Sequence, residues 1–267
     1  MEKFDKFWFE GAKHKIEGEN LEIELKYSLD KKVFFTEKLS MPVTFSGRTG
    51  VIGPAFEKAL KALEIVGGIS YYKAYLPAEM AGANLSEEQA EFWRKVYERG
   101  LGEFFFKNKI DFRGLIKFPI GDSVEKAAER AGNGALVAIG GGKDSIVTAE
   151  IMKAEQAEFE LFSLRDSEPI RQTAEIIGKS RLIVSRQIDP LLFELNEKGA
   201  LNGHVPITAY ISCLMTLCAS YYGYGEVVMS LEKSSNFGQF DYLGMDINHQ
   251  YSKSEEFEKD FRDYLKK

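Results

Sequence analysis

The chain has 267 residues, of which 44% are hydrophobic and 28% are charged, with a formal net charge of -6. Such a composition is typical of a globular protein with one large or two modest domains. The acidic balance argues against nucleic-acid binding, which usually needs a basic excess. Two cysteines are too few for a disulfide framework.

Two features bear on where the protein works. The first ten residues are charged and have no apolar run behind them, so no secretory signal is predicted. Between Lys198 and Glu226 there is no charged side chain, but the helical part of this stretch, 207–222, is shorter than the roughly 20 apolar residues of a membrane span. A buried helix with Cys213 and Cys218 in the core is therefore expected, in a reducing, cytoplasmic setting without membrane contact.

The N-terminal part of the chain predicts an α+β domain. Residues 21–25 alternate between apolar and charged side chains, which is typical of a half-buried strand, and a second extended run from Val33 predicts a hairpin. Pro54 is a favoured first-turn residue and opens a helix. Ser86 and Gln89 have the spacing of a capping box, so a second helix begins there and ends near a glycine at position 100.

The C-terminal part has the texture of an α/β domain. Short apolar runs predict buried strands at 135–139, 159–164, 182–185 and 227–231, and helices are expected between them at 144–154, 168–178 and 207–222. Strands that alternate with helices predict a mostly parallel sheet. We place the boundary in the stretch 121–134, which gives domains of residues 1–125 and 126–267. Phe257, Phe261 and Leu265 predict a final amphipathic surface helix.

A glycine loop follows the first of these strands, with the sequence Gly140-Gly141-Gly142-Lys143-Asp144-Ser145. Consecutive glycines let the backbone turn sharply, and the first amides and positive dipole end of the next helix face the same hollow. This combination predicts an anion site that fits a pyrophosphate. Neither the Walker spacing nor the third glycine of the dinucleotide fingerprint is present.

The glycine loop resembles Ser-Gly-Gly-x-Asp-Ser of the PP-loop ATP pyrophosphatase superfamily, with Gly140 where the first Ser usually stands. The resemblance implies ATP as the ligand, cleaved between its α- and β-phosphates. It also implies that Phe162, Ser163 and Leu164, at the end of the second strand, lie near the adenine. Asp144 could cap the helix or help to hold Mg²⁺.

Further segments resemble one family within that superfamily, the ATP-dependent epimerases of UDP-N-acetylmuramoyl-L-alanyl-L-glutamate. The segments are 70–73 (Ser-Tyr-Tyr-Lys), 100–104 (Gly-Leu-Gly-Glu-Phe), 189–206 with its Asn-Gly-His-Val-Pro end, and 248–254 (Asn-His-Gln-Tyr-Ser-Lys-Ser). The resemblance implies epimerisation of the terminal L-glutamate to D-glutamate through an adenylated carboxylate, with ATP and Mg²⁺. The family continues beyond the position of Lys267, so a partner chain that supplies a further C-terminal portion remains an alternative. Leu231 stands where the family has Asn.

Several side chains are candidates for the proton-moving and binding steps. Catalytic candidates are Glu232, His204 and His249; substrate-binding candidates are Asn202, Asn248, Lys253 and Lys73; metal candidates are Asp144 and Asp189. The pKa range of histidine suits acid–base work, and open α/β sheets bind ligands at strand carboxyl ends, where Glu232 and Asp189 lie.

Each candidate has a structural alternative. His204 could be a helix-entry histidine, His249 part of a solvated loop, Glu232 a surface acid and Asp189 a helix start before a proline. Lys73 could belong to an ordinary packed helix end. Two other functions also stay open: a PP-loop ligase that passes the adenylate to an amine, and a nucleotide-binding subunit that needs a partner.

Overall fold

A computed structural model describes residues 3–121 and 132–266. The predicted domain boundary falls largely on 122–131 and so lies outside the described residues. The strands are β1 (Lys6–Glu17), β2 (Asn20–Leu29), β3 (Val33–Pro42), β4 (Thr44–Phe45), β5 (Arg48–Thr49), β6 (Glu79–Ala81), β7 (Ala135–Ala138), β8 (Phe159–Ser163), β9 (Arg181–Ile183), β10 (Ser185–Gln187), β11 (Glu226–Val228), β12 (Phe240–Tyr242) and β13 (Met245–Ile247). The helices are α1 (Pro54–Tyr72), α2 (Glu87–Gly100), α3 (Gly102–Lys107), α4 (Lys143–Ala154), α5 (Glu168–Ile177), α6 (Pro190–Glu197), α7 (Ile207–Tyr222) and α8 (Glu255–Leu265).

Two sheets organise this α/β fold. The first is mixed, with the order β10-β3-β2-β1-β6, in which β1, β2, β3 and β10 run antiparallel to their neighbours and β6 runs parallel to β1. The second is parallel, with the order β11-β7-β8-β9. Short hairpins of β4 with β5 and of β12 with β13 complete the pairing.

The two sheets share one hydrophobic core. Phe7 and Leu25 of the first sheet belong to the same buried cluster as Leu136 and Phe162 of the second. Helix α7 packs against α1 and also contacts the parallel sheet. A smaller cluster on the opposite face of the parallel sheet is covered by α4 and α5. Two layers of helix therefore enclose the parallel sheet, as expected for an α/β protein.

A buried ion pair joins the two halves of the chain. Glu37 of β3 is fully buried and accepts hydrogen bonds from Arg186 of β10 at 2.9 and 3.0 Å. Tyr210 of α7 and Tyr71 of α1 donate their hydroxyls to the same carboxylate at 2.6 and 3.2 Å. Burial raises the pKa of both tyrosines, which keeps them protonated as donors. Four elements thus meet at one carboxylate.

Most of the predicted elements are present. The hairpin of β2 and β3, the helix from Pro54 and the capping box of α2 are confirmed, the last by Gln89 N donating to Ser86 Oγ at 3.2 Å. Cys213 and Cys218 are buried, and no helix among the described residues is long and apolar enough to cross a membrane.

One local prediction was wrong. The run 182–185 was predicted to be one strand, but β9 stays in the parallel sheet and β10 pairs with β3. A short apolar run carries no information on which sheet it joins. The predicted amphipathic helix is present as α8: Phe257 and Phe261 are buried, and Leu265 is 45% exposed because the helix ends there.

Replacing Arg186 with Leu is expected to lower the free energy of unfolding by about 3–5 kcal/mol, because the buried Glu37 charge loses its partner. Urea denaturation measures the loss. The matched control is Arg171→Leu, which removes an exposed arginine paired with Asp166 and should change the stability far less, because solvent screens an exposed ion pair. Equal losses in the two variants would contradict the role assigned to Glu37.

Candidate functional site

The glycine loop lies where the strand order of the parallel sheet reverses. Strands β7, β8 and β9 follow one another across the sheet, and β11 lies on the other side of β7. Residues 139–142 connect the end of β7 to α4 at this switch point. In open α/β sheets, ligands bind outside the carboxyl ends of the strands at such points. The predicted loop therefore has the position of a ligand site.

The backbone of the glycine loop is open to a ligand. Gly141 has φ of +77°, a left-handed conformation that favours glycine, and a Cβ built on Gly140 or Gly142 would have no atom within 4 Å. Gly142 is the N-cap of α4 and no side chain caps this helix among the described residues. The first amides of α4 are thus left for an external acceptor.

Ser163 supplies an unpartnered polar group beside the loop. It ends β8, is 2% exposed, and its Oγ has no hydrogen-bond partner among the described residues. Ile139 N donates to Phe162 O at 2.9 Å, which ties the start of the loop to this strand end. A buried hydroxyl without a partner carries an energetic cost that a ligand could remove.

The three polar residues of the loop have different surroundings. Lys143 is exposed and Asp144 is half-buried. Ser145 is buried and its Oγ donates to Gly142 O at 2.8 Å, so this hydroxyl closes the first turn of α4. Within residues 3–121 and 132–266, no group of three or more acidic, histidine or cysteine side chains could hold a metal ion.

Asp189 has a structural role. It is the N-cap of α6, where Oδ1 accepts from Leu191 N at 2.9 Å. Its Oδ2 accepts from Thr36 N of β3 at 2.7 Å. Both oxygens are occupied by main-chain donors, which favours the helix-start alternative over a metal ligand.

A second group of polar residues, the histidine cluster, comprises Lys73, Glu103, Asn202, His204 and His249. Lys73 Nζ donates to Asn202 Oδ1 at 3.0 Å, although the two residues are 129 positions apart. The rings of His204 and His249 lie nearly perpendicular with centroids 6.3 Å apart. The carboxylate of Glu103 interacts electrostatically with both rings. Each of the four segments of the family resemblance contributes at least one residue to this cluster.

Glycines allow this close approach. A Cβ on Gly100 would lie 2.6 Å from Pro206, and a Cβ on Gly203 would lie 3.0 Å from the ring of Phe104. A Cβ on Gly102 would lie 3.1 Å from Ile247, which directly precedes the 248–254 segment. The corner between α2 and α3 can pack against both loops because these positions carry no side chain.

Burial sets the charge state of two groups in the histidine cluster. Lys73 is 4% exposed, and burial lowers the pKa of its amine to about 8. Burial also lowers the pKa of His204; Glu103 opposes this effect, His249 adds to it, and a hydrogen bond with the His249 backbone raises the pKa. His204 is therefore a neutral ring at pH 7, as a general base needs to be.

Two further candidates, Glu232 and Asn248, lie on the chain that follows β11. Ser230, just after β11, donates to Thr148 of α4 at 2.8 Å. Glu232 follows on the surface and precedes a 3-10 turn, Lys233–Asn236. Asn248 Nδ2 donates to Ser235 O in this turn at 2.7 Å. The chain after β11 thus leads from α4 to the histidine cluster.

Other candidates are spread more widely. Lys253 is half-buried in the 3-10 turn Tyr251–Lys253. Sequence reasoning gave no role to Glu103 and Lys107, which form an ion pair on α3 beside the histidines. The spacing of Gly100 and Gly102 was the available signal, because paired small residues at a helix corner indicate close packing.

An α/β fold with an open glycine loop at the switch point of a parallel sheet defines the general class. Comparison with known proteins gives the family: the model of the MurL N-terminal domain matches residues 1–267, so the chain belongs to this family. The predicted resemblance to the epimerases is thereby confirmed. No solved structure matches the chain.

Curated relatives carry the name UDP-N-acetyl-alpha-D-muramoyl-L-alanyl-L-glutamate epimerase. The protein of Xanthomonas oryzae pv. oryzae (strain MAFF 311018) is 37% identical over 248 residues, which cover 91% of this chain and 55% of the relative. That of Micromonospora sp. (strain ATCC 39149 / NRRL 15099 / SCC 1413) is 35% identical over 229 residues, 84% of this chain and 51% of the relative. The Salinispora tropica protein is 33% identical over 228 residues, with 84% and 50% covered. The chain spans about half the length of these relatives.

Replacing Lys73 with Met is expected to stabilise the protein at pH 7 by roughly 3 kcal/mol, because a buried ammonium with a pKa of about 8 is disfavoured relative to an unfolded value of 10.5. Above pH 8 the folded wild type releases this proton before the unfolded chain does. Wild-type stability therefore rises relative to the variant as the pH approaches 10.5. Urea unfolding of both proteins at pH 7 and pH 10 measures the difference.

The control for this prediction is Asn202→Leu, which removes the hydrogen-bond acceptor of the amine. This variant should be destabilised at pH 7 and less so at pH 10, where Lys73 is mostly neutral in the folded protein. A stability difference between Lys73→Met and wild type that is constant from pH 7 to pH 10 would rule out the lowered pKa.

Proposed function

We propose that this chain is the ATP-binding and proton-transferring part of an epimerase that converts the terminal L-glutamate of UDP-N-acetylmuramoyl-L-alanyl-L-glutamate to D-glutamate. One observation carries the proposal: an open anion loop and a histidine cluster occur together in a chain whose relatives bear that epimerase name. The proposal includes a PP-loop type of nucleotide domain and a role in peptidoglycan precursor synthesis.

The glycine loop suits the phosphates of ATP. Its open glycines and uncapped helix start offer main-chain donors, and Lys143 is exposed and able to reach an anion. The unpartnered Ser163 Oγ lies where the resemblance places the nucleotide. Asp144 is the candidate Mg²⁺ ligand, because Mg²⁺ is commonly held by one or two carboxylates together with phosphate oxygens.

When bound, ATP supplies an adenylyl group to a substrate carboxylate, with loss of pyrophosphate; the resulting acyl-phosphate anhydride acidifies the neighbouring α-proton, and its later hydrolysis by water releases AMP and restores the carboxylate. His204, neutral at pH 7, accepts that proton, and His249 returns a proton to the opposite face of the same carbon. Each acid or base works at about 3 Å from the atom it serves, so two groups on opposite faces lie about 6 Å apart. The centroids of the two rings lie 6.3 Å apart, so both imidazoles lie in one small region of the fold.

Lys73 and Asn202 bind the substrate in this proposal. Lys73 is a buried cation whose ammonium donates to Asn202, and it lies over the ring of Phe104 at 6.0 Å. A carboxylate placed there would gain a charge-assisted hydrogen bond in a poorly solvated position. We assign Asn248 and Lys253 to substrate phosphate or carboxylate groups and Glu232 to proton transfer; all three lie on the chain after β11.

A second candidate function is a nucleotide-binding half that needs further polypeptide for turnover. The observation in its favour is that the curated relatives are about twice as long as the segment they share with this chain. In that case the chain binds ATP, but pyrophosphate is released only after the remaining half of such a relative is added.

Gly141→Ala is expected to weaken ATP binding about tenfold, because a left-handed conformation costs a non-glycine residue roughly 1–2 kcal/mol and the loop would shift to avoid it. Calorimetric titration with ATP and Mg²⁺ measures the affinity. Gly178→Ala is the matched control, since Gly178 has φ of +72° at the end of α5 and also has open space around it. A similar affinity loss in both variants would remove the glycine loop from the ATP site.

His204→Gln is expected to reduce epimerisation by about 10²–10⁴-fold while ATP-dependent pyrophosphate release persists, since the proton acceptor is removed and the glycine loop is intact. The assay follows AMP, pyrophosphate and D-glutamate from UDP-N-acetylmuramoyl-L-alanyl-L-glutamate, ATP and Mg²⁺. His14→Gln is the control, because His14 lies on β1 and bonds Glu57.

Two results would sink the proposed reaction. Wild-type protein that forms neither AMP nor D-glutamate, even with the remaining half of a relative present, is one of them. Product formation that depends on added ammonia is the other, and it would indicate a ligase instead.

A further inference from the structure

Helix α3 carries a charged pair to the two histidines. Glu103 is half-buried at its first turn and forms an ion pair with Lys107 one turn later. Gly102 packs against Ile247 and Phe104 packs against Gly203, so the start of α3 is held from both sides by the loops that carry the rings. Glu103 therefore has a fixed place, whereas Lys107 projects from the exposed end of the helix.

The charges that face His204 come from a small set of groups. Within the described chain they are Glu103 and Lys107 on α3 and His249 on the loop after β13. Glu103 favours a proton on the ring, whereas Lys107 and His249 disfavour it. Two like charges at this separation oppose each other, so a doubly protonated pair of rings is disfavoured unless a carboxylate compensates.

We propose that Glu103 is the positioning residue of the His204–His249 pair: its carboxylate lets one ring carry a proton while the other remains able to accept one. An epimerase with two opposed groups needs this asymmetry at the start of each turnover, because one group is the acid and the other the base. When His204 gains a proton, the negative charge of Glu103 stabilises the positive charge of the ring. The positive charge of Lys107 weakens this stabilisation.

This inference rests on the proposed role of the two histidines, but its test needs neither substrate nor turnover. The chain contains three histidines, so imidazole NMR gives three resolvable titrations. His14, whose ring lies 3.0 Å from Glu57 on another part of the surface, is the internal reference. A failed epimerase assay would leave this measurement intact, and the two proposals can therefore fail separately.

The test compares the titration of His204 in the wild type, in Glu103→Gln and in Lys107→Met. Glu103→Gln removes the negative charge with nearly the same shape, so the pKa of His204 should fall further. Lys107→Met removes the opposing positive charge, so the pKa of His204 should rise. The titration of His14 should be the same in all three proteins.

Opposite shifts of the His204 pKa in the two variants support the proposal. A change in packing alone would not lower this pKa when a negative charge is removed and raise it when a positive charge is removed. Superimposable titrations of His204 in wild type and Glu103→Gln overturn it, as do shifts of the same sign in both variants. If Glu103→Gln does not fold, the Lys107→Met result decides: a rise in the pKa of His204 supports the charge relationship, and no change overturns it.

Discussion

The carboxylate of Glu37 is the contact on which the arrangement of the two sheets depends. It is fully buried and accepts hydrogen bonds from β10, α1 and α7, so each of these elements is held against β3. Arg186 also lies over the ring of Tyr210 at 3.8 Å, which adds a cation–π contact to the ion pair. A buried charge with all its acceptor positions used fixes orientation because any displaced partner would leave it unsatisfied.

That arrangement explains why distant segments meet. Helix α7 begins just after Pro206, and α1 ends at Tyr72, next to Lys73. Once Tyr71 and Tyr210 are fixed on the same carboxylate, the end of α1 and the start of α7 are neighbours. The Lys73–Asn202 hydrogen bond and the histidine cluster follow from this placement. The glycines at the corner between α2 and α3 let this corner pack against the same region.

Much of the fold could be predicted from local patterns. The capping box of Ser86, the glycine loop and the limits of α7, between Pro206 and a glycine, rest on local chemistry and are present. The separation of β9 from β10 could not be predicted, since it depends on a hydrogen-bond partner more than 140 residues away. Glu37 left a trace in the sequence, because Phe35, Leu39 and Met41 alternate on the same inward face. The burial of an acid on that face could be predicted only if its partner, Arg186, were known.

The site was predictable in the same uneven way. Local sequence identifies the glycine loop. The residues of the histidine cluster were suggested by the family resemblance, and their proximity could not be predicted because they belong to four separate segments. The charge of Glu103 resembles that of other helix-start acids, and its only local signal is the pair of glycines at positions 100 and 102. Only the packing of Gly102 and Gly203 shows that this acid belongs beside the two rings.

The passage from β9 to β10 has a mechanical consequence. Val184 alone separates the two strands; it is fully buried, and its amide donates to Ser163 O at 3.2 Å. One residue in extended backbone spans about 3.8 Å between neighbouring Cα atoms and has almost no slack. The two sheets are therefore joined by a short, extended connection that hydrogen-bonds to the serine beside the glycine loop. At this connection the edge strands of the two sheets cannot separate without breaking the contact between Val184 and Ser163.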